Sequence, residues 1–409
     1  MAPPPDADLT PALEASRPRT DFPASRGLHS TKAILTLMTI QTVPPAAAPL
    51  LALTPGAPAP RVAVITGSYG AGHNSAAREI ARVLTTAGCE VAIHDVVTLL
   101  PWRIGPILRR VYYAQLRRRP NSWGTTLRLL EPGRAAHRLV TWLLAFAAAP
   151  VVEATRGCDL VVTTHPFGAQ ALGHARTTGD LAVPAVTYLT DTSVHPLWIH
   201  PRVDLNLAIH DVAAAEARRW GGRTDVVRPL IPTRREAPAP IHGEPRAADI
   251  TGPWALVTGG SLGMGQLAAT ARDILEDGQM TPVVLCGTDD RLRRRLARIP
   301  GVVALGWRDD IPDLMAACDC IVQNAGGFTS LEALASGKPV ITYRPLPGHG
   351  VANSANLEAA GLIPWARTPE ELAVWMAGAQ VAPRHNRLPM DAPDLLDVLT
   401  GRHAATVAA

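Results

Sequence analysis

The stretch from Gln323 to Ile341 holds the residue types best suited to chemistry, because its pattern predicts a strand, a glycine turn, a helix and a second strand. Gly326 and Gly327 stand at the start of the predicted helix, where main-chain N–H groups and the helix dipole attract an anion. Glu332 follows one turn deeper and could accept hydrogen bonds from a sugar hydroxyl. Together these residues indicate a nucleoside diphosphate site. The alternative is an ordinary strand–helix connection whose glycines allow tight packing.

Two polar residues at the ends of predicted strands could complete such a site. The run from Arg61 to Thr66 predicts a buried strand, and a glycine loop then leads to His73 at the start of a helix. Asp191 ends another predicted strand farther along the chain. Ligands collect at the carboxyl ends of parallel strands, so both side chains could face a cleft. The alternatives are a packing or helix-capping histidine and a turn-forming aspartate.

Composition sets limits on the class of protein. The chain has 409 residues, of which 47% are hydrophobic, with a net charge of +4 and a pI near 9.0, so it can form two or three domains with substantial cores. Its five cysteines show no paired spacing, which favours a reducing cytosol over a disulfide framework. His195 and His200 lie close in sequence, but no HExxH motif or third ligand accompanies them, so we expect no metal centre.

Residues 101–142 differ in character from the rest of the chain. They hold nine arginines and one acid, Glu131, with tryptophans and tyrosines between them. Basic amphipathic helices with such aromatic residues are typical of proteins at anionic membrane surfaces. A solvated arginine face over an ordinary core, or a nucleic-acid groove, would have a similar composition. We interpret the segment as a membrane contact, without nucleic acid as a partner, made by Arg109, Arg110, Arg117, Arg118, Arg119 and Trp123.

Strand–helix units occur in two successive sets, which predicts an α/β protein with two doubly wound, Rossmann-like domains facing each other across a cleft. The predicted parts are a proline-rich disordered leader (1–60), an amino-terminal acceptor and membrane domain (61–231), a linker (232–253), a carboxyl-terminal donor domain (254–382) and a poorly ordered tail (383–409). Residues 33–53 are apolar but interrupted by prolines, and we expect no other run to be long enough to span a bilayer.

Several of these motifs, taken in order, resemble a known family. The segments GSYGAGHNSAA, NAGGFTSLEALASGKPVI and PLPGHGVANSANLEAAG are similar to those of GT-B glycosyltransferases. The likeness is strongest to monogalactosyldiacylglycerol synthases and processive diacylglycerol glucosyltransferases, which are related to the N-acetylglucosaminyltransferase that forms lipid II. It extends from about Arg61 to Trp375. Plant-type galactolipid synthases carry a GQE-like segment where this chain has Gly348-His349-Gly350, so the resemblance does not specify galactose.

The resemblance also implies roles for individual residues. It implies donor binding by Ser261, Arg308, Gly326, Gly327, Thr329, Ser330, Glu332, His349 and Asn353. It implies acceptor binding by Gly72, His195 and Trp198, and it places His73 and Asp191 near the reacting centre. The implied reaction is inverting transfer of a hexose from a UDP-sugar to a lipid acceptor, most simply diacylglycerol, at a membrane surface. The implied location is the cytoplasm, with peripheral attachment to the inner face of the cell membrane.

The residues agree with this chemistry without a metal cofactor. The only D-x-D motif, Asp6 to Asp8, lies in the predicted leader, so a metal-bridged donor site is not indicated. An imidazole titrates near neutral pH, which makes His73 the expected general base, with Asp191 as the alternative. Other possible functions are a UDP-sugar transferase acting on a polyprenyl-linked or soluble natural-product acceptor, a UDP-N-acetylglucosamine 2-epimerase-like enzyme, and a non-catalytic nucleotide-sugar sensor.

Overall fold

Two parallel six-stranded sheets form the framework of the protein. The computed structural model describes residues 48–119, 121–231, 245–324, 326–381, 388 and 390–402. The first sheet has the order β2-β1-β3-β4-β5-β6 and the second has the order β12-β11-β10-β7-β8-β9. The strands are β1 Arg61–Thr66, β2 Glu90–Asp95, β3 Leu160–Thr163, β4 Ala185–Tyr188, β5 Leu205–Ala208, β6 Thr224–Val226, β7 Trp254–Thr258, β8 Thr281–Leu285, β9 Val303–Leu305, β10 Cys320–Gln323, β11 Val340–Tyr343 and β12 Trp365–Ala366.

Helices cover both faces of each sheet, which explains why the central strands are continuously apolar rather than alternating. In the amino-terminal half they are α1 Ala71–Thr86, α2 Val96–Leu99, α3 Ile104–Arg118, α4 Ser122–Leu129, α5 Ala135–Ala145, α6 Ala148–Ala154, α7 Pro166–Thr178 and α8 Asp211–Arg219. In the carboxyl-terminal half they are α9 Leu267–Asp277, α10 Asp290–Leu296, α11 Ile311–Ala317, α12 Gly327–Ala335, α13 His349–Ala359, α14 Pro369–Val381 and α15 Leu395–Leu399. The predicted pair of doubly wound domains is confirmed.

The basic segment forms an insertion between β2 and β3 that consists of α3, α4 and α5, followed by α6. One side of this insertion packs on α7 through Leu144, Ala147 and Val151, which are buried with Leu172. Its other side carries exposed apolar residues among the arginines. The insertion therefore has a core-facing side and an outward side that is both apolar and basic.

The segment Ala135–Ala154, which spans α5 and α6, is long and apolar enough to cross a bilayer by length and composition, with a mean hydropathy of 1.5. Our expectation that no run outside residues 33–53 would reach that length was wrong. The two helices are separated by a turn at residues 146 and 147, and their inner side packs on α7. A helix that packs in a domain core can pass the same test, so this feature does not establish a membrane span.

Parts of the predicted leader and tail are ordered together. The N–H groups of Leu50 and Leu51 both donate to the Leu399 carbonyl at 2.9 Å, and Leu51 is buried. Helix α15 buries Leu395 and Leu399 in the same core cluster. The prediction of a poorly ordered tail was wrong for these residues, because leucines four apart on one helix face drive a short helix onto the core. Residues 1–47 and 232–244 lie outside the described part of the chain, so the leader and linker predictions are not tested there.

Candidate active site

A cavity of about 1170 Å³ lies where the carboxyl ends of the two sheets face each other. Most of the predicted site residues line it. From the carboxyl-terminal half these are Ser261, Arg308, Gly326, Gly327, Thr329, Glu332 and His349, and from the amino-terminal half they are Gly72, His73, Asp191, His195 and Trp198. Residues about 280 positions apart in sequence are thus brought to one space, as expected for ligand sites between doubly wound sheets.

The amino-terminal end of α12 directly contacts the other half of the protein. A Cβ atom added to Gly327 would lie 2.2 Å from Asp191 Oδ1 and 2.4 Å from the Thr190 carbonyl oxygen. Glycine is therefore required at this position by close approach. The Asp191 carboxylate lies at the positive end of the helix dipole, which is a favourable place for a negative charge. Gly326, Gly327 and Thr329 also line the cavity, so the helix end is accessible from it.

We expect Gly327→Ala to weaken the closure of the two halves. The added methyl group overlaps main-chain and carboxylate oxygens, and overpacking of this kind costs about 1–3 kcal/mol. Urea unfolding should show this loss of stability. Gly378→Ala is the matched control, since nothing lies within 4 Å of a Cβ at that position in α14. Equal stability of both variants would contradict the close contact at Gly327.

His73 lies in the first turn of α1, and its hydrogen bonding fixes its tautomer. Its Nδ1 is 2.7 Å from the Thr164 carbonyl oxygen. Because a carbonyl only accepts, Nδ1 carries the proton and Nε2 keeps its lone pair. Burial lowers the pKa of His73, the nearby Asp191 carboxylate opposes that shift, and His349 adds to it. The ring is therefore a neutral base near pH 7, with its basic nitrogen defined.

A second buried histidine supports His73. The His165 ring packs edge-on against His73 with centroids 4.7 Å apart, and Trp198 lies 5.8 Å away on another side. His165 caps α7 by accepting the Phe167 N–H at its Nδ1, 3.2 Å away. Burial lowers the pKa of His165 well below its usual value. Rigid, uncharged neighbours thus hold the His73 ring in place.

Asn353 occupies the interface between the halves and does not line the cavity. It is fully buried; its Oδ1 accepts the Ser193 N–H at 2.8 Å and its Nδ2 donates to Asp191 Oδ1 at 3.1 Å. Asn356, one turn farther along α13, donates to the Thr192 carbonyl at 2.8 Å and to Glu216 at 3.0 Å. We predicted that Asn353 contacts the donor sugar. In the structure its side chain instead belongs to a polar interface that binds α13 to residues 191–193.

The side chains of two further predicted donor residues make hydrogen bonds within the protein, although Arg308 also lines the cavity. Ser330 is buried, and its hydroxyl donates to the Gly326 carbonyl at 2.8 Å, so its side chain stabilises the turn rather than facing the cavity. The Arg308 guanidinium donates to Asp310 at 2.7 Å and to the Pro245 carbonyl at 3.2 Å. Trp307, which the sequence interpretation did not single out, is half-exposed and lines the cavity beside it.

Ser261 and Glu332 do face the cavity. Ser261 Oγ accepts the Ala71 N–H at 3.2 Å, which joins the first glycine loop of the carboxyl-terminal half to the start of α1. Burial raises the pKa of Glu332 to about 7, and Arg78 across the cleft opposes that shift. A carboxyl group in a cleft whose pKa is raised to near 7 is a common feature of ligand sites.

Trp123 lies in the cavity wall rather than on the outward side of the insertion, which corrects its assignment to membrane contact, and half-buried Arg109 is bonded to the glycine loop before α1. Arg109 donates to the Ser68 hydroxyl and, at 3.3 Å, to the Ser68 carbonyl. Trp123 lines the cavity and donates from Nε1 to His349 Nδ1 at 3.1 Å. Arg110, Arg117, Arg118 and Arg119 are exposed.

His195 and Trp198 connect the segment after β4 with α4 and the cavity wall. His195 Nε2 lies 3.0 Å from the Leu127 carbonyl oxygen, and its Nδ1 accepts the Leu197 N–H at 3.3 Å. Burial lowers the pKa of His195. Within the described ranges, no three His, Cys, Asp or Glu side chains are grouped so as to hold a metal ion.

The sequence analysis did not assign several aromatic residues to the site. Tyr69 stacks on His165 at 5.2 Å, Tyr112 packs on Tyr69 at 5.4 Å, and Trp123 packs edge-on against Tyr112 at 4.8 Å. Tyr69 lies inside the glycine loop before His73, a position that could have drawn attention to it. Nothing in the sequence indicated that α3 and α4 would return to that loop.

Comparisons with known proteins agree with the fold and the motifs. Residues 73–230 match the model of the monogalactosyldiacylglycerol (MGDG) synthase family, and residues 261–376 match that of glycosyl transferases group 1. The processive diacylglycerol β-glucosyltransferase of Bacillus cytotoxicus is 23% identical over 334 residues, covering 74% of this chain and 81% of the relative. The enzyme of the same name from Bacillus mycoides is 25% identical over 332 residues, with the same coverage.

Solved structures show the same architecture. MurG of Acinetobacter baumannii covers 85% of this chain and 98% of its own, with a TM-score of 0.51 and 15% identity. SnogD, a glycosyltransferase of Streptomyces nogalater, covers 86% of this chain and 100% of its own, with a TM-score of 0.51 and 19% identity. Phytolacca americana UGT2, in complex with UDP-2-fluoro-glucose and pterostilbene, has a TM-score of 0.51 and 13% identity, covering 86% of this chain and 100% of its own. The chain is therefore a glycosyltransferase with the GT-B fold, with a domain that matches the MGDG synthase family model and homologues among the processive diacylglycerol glucosyltransferases.

Proposed function

We propose that this enzyme transfers a hexose from a UDP-sugar to the hydroxyl group of a lipid, most simply diacylglycerol, at an anionic membrane surface. The observation that carries the proposal is the continuity of the cavity. It runs from the amino-terminal end of α12, past His73, to an apolar wall formed by α3, α4 and the segment after β4. The names of the Bacillus relatives point to the same acceptor.

In this proposal the donor diphosphate binds at the end of α12. Main-chain N–H groups of Gly326 and Gly327 and the helix dipole stabilise the charge that develops on the leaving UDP, so no metal is needed. Glu332 accepts hydrogen bonds from the ribose hydroxyls with its ionised carboxylate. Asp191, which already lies at the helix end, then faces the donor from the opposite half.

Donor affinity should depend on pH through Glu332. The pKa of this carboxyl group is raised to about 7, so the accepting, ionised form is lost as the pH falls through 7. The KM for UDP-sugar should therefore be about tenfold higher at pH 6 than at pH 8. Glu332→Gln should remove this dependence and leave a uniformly high KM. Steady-state kinetics at fixed ionic strength measure the KM of wild type and of Glu332→Gln across this pH range. If the pH profile is unchanged in Glu332→Gln, the pH dependence of KM belongs to another group.

The chemical step is a displacement at the anomeric carbon. His73 Nε2 takes the proton of the acceptor hydroxyl as its oxygen forms the new bond to that carbon. The bond from the anomeric carbon to the diphosphate oxygen breaks, and its electron pair leaves with UDP. Attack from the side opposite the leaving group inverts the configuration. The tautomer imposed by Thr164 provides the required lone pair.

The outward side of the insertion supplies the proposed membrane contact, and with it a peripheral location at the inner face of the cell membrane. Large apolar side chains are exposed there among the arginines: Trp102 (71%), Ile107 (52%), Leu139 (56%) and Trp142 (58%). Trp102 and Arg103 adopt left-handed backbone conformations, with φ of 52° and 58°, a strained arrangement that is common at functional positions. Exposed aromatic residues next to arginines suit the lipid headgroup region.

The experiment that tests this function uses vesicles containing diacylglycerol and anionic phospholipid. The enzyme is incubated with UDP-glucose, UDP-galactose or UDP-N-acetylglucosamine, and the lipids are analysed by mass spectrometry. We expect a lipid product one hexose heavier with UDP-glucose or UDP-galactose. Absence of any glycosylated lipid, with transfer of the sugar to a soluble acceptor and release of UDP instead, would overturn the lipid assignment.

A further inference from the structure

Helix α4 connects the acceptor side of the cavity with the loop that begins α13. Trp123 Nε1–H donates to His349 Nδ1 at 3.1 Å across the two halves of the protein. One turn farther along the same helix, the Leu127 carbonyl accepts from His195. Helix α4 is thus fixed at one end to its own half and at the other to the donor half.

The contact with His349 depends on close approach of main chains. Gly348 has φ of 82°, and a Cβ atom there would lie 2.8 Å from Trp123 Cδ1 and 3.0 Å from Leu127 Cδ1. A Cβ atom on Gly124 would lie 3.6 Å from Gly348 Cα. Two glycines facing each other therefore allow α4 to rest directly on the loop.

The hydrogen bond also selects one form of the His349 ring. An indole N–H can only donate, so Nδ1 of His349 must hold a lone pair, and the proton of the neutral ring lies on Nε2. Burial lowers the pKa of His349, and the Asp191 carboxylate, at the end of β4, opposes that shift. His349 lines the cavity, so the neutral ring can offer Nε2–H as a donor to a ligand there.

We propose that Trp123 is a positioning residue which holds His349 as the Nε2–H tautomer, so that the ring donates to the sugar of the UDP-sugar. This inference rests on the proposed function, because it takes the ligand at His349 to be the donor sugar. Trp123 is part of an aromatic series, Trp123–Tyr112–Tyr69–His165, that ends against His73. Helix α4 also lines the apolar acceptor wall through Leu127.

The test uses Trp123→Phe, which keeps an aromatic ring but removes the N–H donor. Binding of UDP and of UDP-glucose is measured by calorimetry on the full chain. We expect UDP affinity to stay unchanged and UDP-glucose affinity to fall about three- to tenfold, the usual effect of losing one hydrogen bond. Trp365→Phe is the control; that indole packs on Arg367, away from the cavity, and its removal should change neither affinity.

A second readout follows the ring itself. In protein labelled with ¹⁵N-histidine, the signals of His349 are assigned with a His349→Gln variant. Wild type should show a protonated Nε2 and an unprotonated Nδ1, and Trp123→Phe should show a mixture of tautomers. Identical tautomer populations in both proteins, or equal losses of UDP and UDP-glucose affinity, would overturn the positioning role. If wild type binds no UDP at all, the proposed function fails instead, while the tautomer result stands by itself.

Discussion

Replacing His73 with alanine should reduce kcat about 10²- to 10⁴-fold, the range by which a positioned general base accelerates a reaction. The KM for UDP-sugar should change little, because His73 lies on the acceptor side and is fixed to Thr164. Steady-state kinetics with a diacylglycerol acceptor give both constants. His174→Ala is the control, since that histidine lies on α7 and is not part of the cavity wall.

Two observations would separate His73 from its alternative. Near-normal turnover of His73→Ala, together with loss of turnover in Asp191→Asn, would move the base to Asp191. The pH profile is a consistency check on His73, because burial lowers the pKa of this histidine. Its basic form therefore persists below pH 6.5, and kcat should fall only at more acidic pH. The structure favours His73, since the Asp191 carboxylate is already engaged by Asn353 and by the end of α12.

Reversing the charges of Arg117, Arg118 and Arg119 to glutamate should weaken binding to anionic vesicles on the order of a hundredfold or more. Each exposed basic residue near such a surface contributes about 1 kcal/mol, so removing three costs about 3 kcal/mol before any repulsion is counted. All three arginines are exposed at the end of α3. Vesicle flotation at increasing salt concentration measures the effect, which should diminish as salt screens the charges.

The matched control carries the same change of charge elsewhere. Arg294, Arg295 and Arg298 are exposed in the carboxyl-terminal half, on or just after α10. Their reversal should leave vesicle binding nearly unchanged if the α3–α5 insertion makes the contact. Equal losses in both triple variants would indicate a general charge effect and reject a specific docking surface. Equal binding of wild type to neutral and anionic vesicles would reject the electrostatic contribution altogether.

Local sequence patterns were enough to predict the architecture and most of the residues that line the cavity. Continuous apolar runs such as Arg61–Thr66 and Cys320–Gln323 identified buried parallel strands, because both faces of each sheet are covered. The glycines at the start of α12 and the carboxylate of Glu332 could be singled out because a candidate anion site at a helix end is local, defined by spacing along one segment. His73 could be predicted as a site residue for the same reason, because it directly follows a strand and a glycine loop.

Which side chains face the cavity, and which hold the two halves together, depends on long-range contacts that no local pattern shows. Asn353 and Asp191 are 162 positions apart, and no local pattern shows that they bond to each other instead of both contacting ligand. Trp123 and Arg109 are residue types that suit a membrane surface. In the structure, however, Arg109 of α3 contacts the glycine loop and Trp123 of α4 contacts His349. The tautomer of His349 depends on Trp123 of the opposite half, and the raised pKa of Glu332 depends on burial in the cleft, so neither exists before the two halves meet.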